Sequence, residues 1–92
     1  MPHRYQITVQ PLNEDGTASD ASPLTFTVLN HDDLLDIVSK TRARGVVPED
    51  EATEFAIGLK LFSEVMMRHR KSELFAPLWP EFGEFMKRLK GW

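Results

Sequence analysis

Residues 49–70, EDEATEFAIGLKLFSEVMMRHR, limit this chain more than any other segment. At helical spacing one stripe runs Ala52, Phe55, Ala56, Leu59, Phe62, Ser63 and Met66, and a second runs Ile57, Leu61 and Val65. Only a narrow wedge of Lys60, Glu64 and Arg68 is plainly polar. A helix that is apolar nearly all round has to be covered on more than one side. The chain has 92 residues, room for one core at most. The segment is therefore either the central helix or a face that meets a second subunit. Gly58 falls in mid-helix, where glycine costs up to about 1 kcal/mol against alanine, and the expected reason is a close backbone approach.

Apolar residues make up 41% and charged residues 27%, a balance that folds rather than stays disordered. A chain this short buries only roughly 60–65% of its unfolded surface, so its stability is marginal and a partner subunit would help. The length excludes a barrel of eight strand–helix units and a full dinucleotide-binding fold. There are no cysteines, which removes disulfides, thiolate catalysis, zinc ribbons and iron–sulfur clusters. The N-terminus MPHRYQITV carries no apolar leader, and Lys60, Glu64 and Arg68 interrupt the longest apolar stretches. A cytoplasmic protein with no membrane span is the expectation.

Residues 4–10 alternate, with Tyr5, Ile7 and Val9 on one side. Residues 24–29 do the same with Leu24, Phe26 and Val28, which predicts a second strand with one buried face. Between Pro11 and Pro23 lies a turn-rich segment, read as a long, mobile hairpin connection. Asn30 is expected to cap the next helix, with Leu29 and Leu34 as its hydrophobic staple. Gly45 ends that helix, and Val46 and Val47 are candidates for a brief extra strand pairing. The central helix is expected over 49–70. A single helical turn follows over 72–79, and Pro80 opens a last helix with Phe82, Phe85, Met86 and Leu89 on its apolar face. The expected fold is a single α+β domain over 1–92: an antiparallel β-hairpin followed by three to four helices (ββααα), packed on one sheet face. Three times an acidic block precedes a basic one, which suits the two ends of three helices.

The search for chemistry returns little. The five glycines are scattered, and no serine has the context of a nucleophile. His31, Asp32 and Asp33 are the most metal-like cluster, but consecutive helical residues point in different directions, so neither a metal nor a cofactor is expected. Glu81 and Glu84 are one turn apart and have Lys87, Arg88 and Lys90 as surface partners. The net charge of −3 argues against nucleic acid. What remains is a candidate partner-binding set: Arg68, Arg70 and Lys71 at the end of the central helix, with the aromatic anchors Trp79 and Trp92. Phe75 stands beside these as an aromatic that packs either the core or a partner.

RYQITVQPL, SPLTFTVLNHDDLLDIV, EDEATEFAIGLKLFSEVMMRHRKSELF and FGEFMKRLKG together resemble a family of small bacterial proteins of unknown function. The resemblance covers nearly the whole chain outside residues 13–22. It implies a complete, free-standing bacterial cytosolic protein and brings no activity or ligand residues with it. The sequence is accordingly read as a non-enzymatic protein-interaction or regulatory module, with a homodimer or another protein as partner. The alternative is a small-ligand binder or minor enzyme with a pocket between hairpin and helices, near residues 31–33.

Overall fold

The structure, a computed structural model, describes residues 2–92. The chain divides into two compact units, one reaching Asp32 and one running from Asp33 to Trp92.

The first unit is an antiparallel hairpin of β1 (His3–Val9) and β2 (Leu24–Asn30). Its register pairs Tyr5 with Val28, Ile7 with Phe26 and Val9 with Leu24, so the alternating apolar residues of both strands share one face. Gln6 faces Thr27 and Thr8 faces Thr25 on the other, where the two threonine hydroxyls lie 3.2 Å apart. Val9 and Leu24, at the open end of the apolar face, remain exposed.

The turn-rich connection between the strands carries hydrogen bonds of its own. The Asn13 carbonyl accepts from the Gly16 amide at 2.9 Å, and the Asn13 amide donates to the Thr17 carbonyl at 2.8 Å. Gly16 has a φ of +88°, the conformation that this three-residue hairpin loop requires. Asp15 Oδ1 accepts from both the amide and the hydroxyl of Thr17, and an isolated bridge joins Leu12 to Ala18. These bonds hold the Asp15 carboxyl below its ordinary pKa, the Thr17 hydroxyl contributing most.

The second unit holds α1 (Leu34–Arg44), a short 3₁₀ turn over Glu49–Glu51, α2 (Ala52–Arg68) and α3 (Trp79–Lys90). An antiparallel hairpin followed by three helices is the α+β arrangement expected. Its details differ in three places. Asp33, not Asn30, caps α1: its Oδ1 accepts from the Leu35 and Asp36 amides at 3.1 and 3.3 Å. Asn30 ends β2 instead, with its buried side-chain oxygen accepting from the Asp32 amide. Val46 and Val47 lie in a bend, and the sheet of the described residues has two strands. The central helix is shorter at both ends than 49–70, since the acidic run winds as the 3₁₀ turn and His69–Lys71 turn away.

α1 ends at Gly45, whose φ of +65° is the left-handed cap that releases the chain. α1 packs on α2, and the Arg42 guanidinium donates to the Thr53 hydroxyl at 3.1 Å. Among the described residues, the fully buried apolar side chains are Leu34, Ala52, Ala56 and Met66. Among the described residues the close approach expected over Gly58 is not seen: a Cβ there meets nothing within 4 Å. Pro80 occupies the first turn of α3, where its missing N–H costs nothing.

Candidate functional site

Two features of the helical unit stand out, and neither is a polar catalytic cluster. The first is a row of phenylalanine rings. Phe62 on α2 meets Phe75 edge-on at 6.2 Å and Phe82 on α3 at 6.4 Å, and Phe82 meets Phe85 at 5.9 Å. These are favourable ring geometries. Two members are not covered: Phe62, inside the row, is 46% exposed and Phe85, at its end, 42%. One turn before Phe62 stands the open Gly58, and one turn after it Val65 is also exposed. The spacing i, i+4, i+7 puts Gly58, Phe62 and Val65 on one side of α2. Phe75, one of the alternatives weighed in the sequence, is half-buried against Phe62.

The second feature is a half-open cavity of about 220 Å³. Its apolar wall is Ile37, Val46, Leu59, Met86 and Leu89, drawn from α1, the bend after it, α2 and α3. Its polar wall is Thr41 and four cations, Lys40, Arg44, Lys60 and Lys90. The Arg44 guanidinium donates to the Leu89 carbonyl at 3.3 Å, which ties the last turn of α1 to that of α3. Lys40 pairs with Asp36 one turn back at 2.9 Å. Residues 31–33 do not line this cavity.

The residues singled out in the sequence fall in three separate places. Arg68 is the exposed last residue of α2, its Nε–H folding back onto the Glu64 carbonyl at 3.3 Å, and Arg70 and Lys71 lie in the exposed turn that follows. Trp79 opens α3 and Trp92 follows its end, so on the order of 18 Å of helix separates them. Trp79 is 38% exposed and Trp92 70%. The two tryptophans therefore stand at opposite ends of α3. His31 and Asp32 face each other at 3.5 Å, while Asp33 spends its carboxylate on the α1 cap. Among the described residues no group of three metal-ligating side chains converges, and Lys87 pairs with Glu84 at 3.5 Å on the surface of α3.

Comparison with known proteins places the chain without assigning it a task. No curated protein is similar enough to match. A solved structure from Pectobacterium atrosepticum, itself a protein of unknown function, is 36% identical, covers all of both chains and superposes with a TM-score of 0.85. A family model described as a domain of unknown function with solved structure, DUF3861, matches residues 3–91. On a match of that extent, the chain belongs to the DUF3861 family.

Proposed function

We propose that this chain is a non-enzymatic protein-interaction module that docks through the aromatic side of its helical unit. One observation carries the reading: Phe62 and Phe85 are joined through Phe82 into one row, yet both remain nearly half exposed. Large aromatic residues that are clustered, rigid and open to solvent are the usual anchors of a protein interface. The open flank at Gly58 adds a place where a partner backbone approaches α2 closely. On this reading Trp79, exposed at the start of α3, is a further aromatic anchor, and Arg68, Arg70 and Lys71 are the cations offered to acidic groups on the partner. Trp92 is a separate anchor at the far end of α3. A second copy of the chain is the partner to test first, because a core with four fully buried apolar residues among those described leaves much to gain from association. No helix of the described residues is long and apolar enough to cross a membrane, and the setting we propose is the cytoplasm.

Sedimentation velocity from low to high micromolar concentration tests the reading. The wild type is expected to self-associate, and Phe62→Asp and Phe85→Asp to stay monomeric with unchanged far-ultraviolet circular dichroism. A wild type that stays monomeric, together with captured proteins that bind both variants equally well, overturns it.

A further inference from the structure

Asp15 is followed by Gly16, and no other aspartate or asparagine of the chain has glycine next to it. That pair is open to a covalent rearrangement, because a residue without a Cβ leaves its amide nitrogen unshielded from the carboxyl before it. The step balances with no co-reactant but water. The Gly16 nitrogen attacks Cγ of the protonated Asp15 carboxyl. A Cγ–N bond forms, a Cγ–O bond breaks, and a water leaves with the amide proton and the carboxyl hydroxyl. Water then returns to the cyclic imide. Cleavage of the new Cγ–N bond restores aspartate. Cleavage of the old bond from the Asp15 carbonyl to nitrogen gives isoaspartate, in which the chain runs on through Cβ and Cγ. The mass is unchanged and the main chain is longer by a methylene.

The folded turn withholds both partners of this step. The Gly16 N–H donates to the Asn13 carbonyl at 2.9 Å, which ties down the nucleophile. Asp15 Oδ1 accepts from the Thr17 hydroxyl at 2.7 Å and from the Thr17 amide at 3.0 Å. Those bonds anchor the carboxyl to the residue beyond Gly16 and favour its ionised form, which has no hydroxyl to lose. The Thr17 hydroxyl is itself oriented: it accepts from the Asn13 side-chain amide at 3.0 Å and so turns its own proton to Asp15. Gly16 holds a φ of +88°, a conformation glycine takes at little cost, so the turn that asks for glycine also carries the hazard. We infer that Asp15–Gly16 is a modification site, where isoaspartate forms, and that Thr17 is the positioning residue that keeps it closed in the folded chain. An added methylene there lengthens the loop that the Asn13–Thr17 bond and the Leu12–Ala18 bridge close, so the modified turn no longer matches them. The site belongs to the hairpin unit and does not depend on docking through the aromatic row.

Ageing of the full-length chain at neutral pH tests the inference. Peptide mapping with electron-transfer fragmentation separates isoaspartate from aspartate at equal mass. The wild type in buffer should gain isoaspartate at residue 15 about tenfold more slowly than the same chain in urea, the factor that a hydrogen bond to a charged group supplies. Thr17→Val should remove most of that protection, and Thr17→Ser, which keeps the hydroxyl, should retain it. In urea all three chains should age at the same rate, which locates the effect in the folded turn. Asp15→Glu, in which the ring would need a sixth member, should stay unmodified at this position. If Thr17→Val loses its circular dichroism, Asn13→Ala, which removes the amide that orients the Thr17 hydroxyl, makes the same comparison. Three results overturn the inference: a wild type that ages as fast in buffer as in urea, isoaspartate that forms at another residue in preference, or a folded Thr17→Val or Asn13→Ala that ages like the wild type.

Discussion

Single side chains settle several matters in this fold that pattern alone leaves open. Residues 30–33 offer Asn30, Asp32 and Asp33, all of a type that caps helices, so composition does not choose among them. Geometry does: only Asp33 has its carboxylate over the free amides of Leu35 and Asp36, while Asn30 is drawn into a turn with Asp32. Asp15 is a second case. Its carboxyl is held below its ordinary pKa, first by the Thr17 hydroxyl and then by the Thr17 amide. A group with a lowered folded-state pKa stabilises the fold at pH above its unfolded value and loses that contribution as pH falls through the folded one. The turn should therefore loosen only in the acid range, below the normal carboxylate midpoint. In Thr17→Val, an NMR titration of the Asp15 side chain is expected to move its midpoint up toward the ordinary value. An unmoved midpoint would mean that the hydroxyl bond does not govern it.

Elements were legible wherever one period dominated. Strands β1 and β2 could be read from alternation, because a period of two leaves no second interpretation once Tyr5, Ile7 and Val9 answer Val28, Phe26 and Leu24. Helix α2 could be read as a helix, but not its ends, since the acidic run 49–51 suits a 3₁₀ turn as well as a first α turn. The connection hid its order in plain sight, because Asn13, Asp15 and Gly16 are turn residues whether or not the turn is fixed. The cavity was invisible for a different reason. Its walls come from 37–46, 59–60 and 86–90, and nothing local in the sequence says that these segments converge. Gly58 shows the opposite error: glycine in a helix suggested an internal neighbour, and the described residues supply none. With open space where a Cβ would stand, Gly58→Ala should raise stability by up to about 1 kcal/mol, read as a higher urea midpoint at an unchanged m-value. A loss of stability would place an unseen neighbour over that position.

At the level of the molecule, the fully buried core is small. Natural domains hold roughly 5–15 kcal/mol of net stability, and small chains sit low in that range. Among the described residues Met66 is, with Leu34, the largest fully buried apolar side chain, and its truncation leaves a void. Met66→Ala should cost about 2–5 kcal/mol, which at this size lowers the melting temperature by at least about 10 °C. A drop of only a degree or two in calorimetry would show that α2 tolerates an empty centre.

The two tryptophans have a consequence of their own. Trp79 is partly shielded at the start of α3, and Trp92 is mostly in water past its end. The chain thus carries two emitters with different surroundings at opposite ends of one helix. Replacing either by phenylalanine leaves a single fluorophore whose colour reports one end only. Partner docking and fraying of the last turn then become separable by the wavelength at which the protein glows.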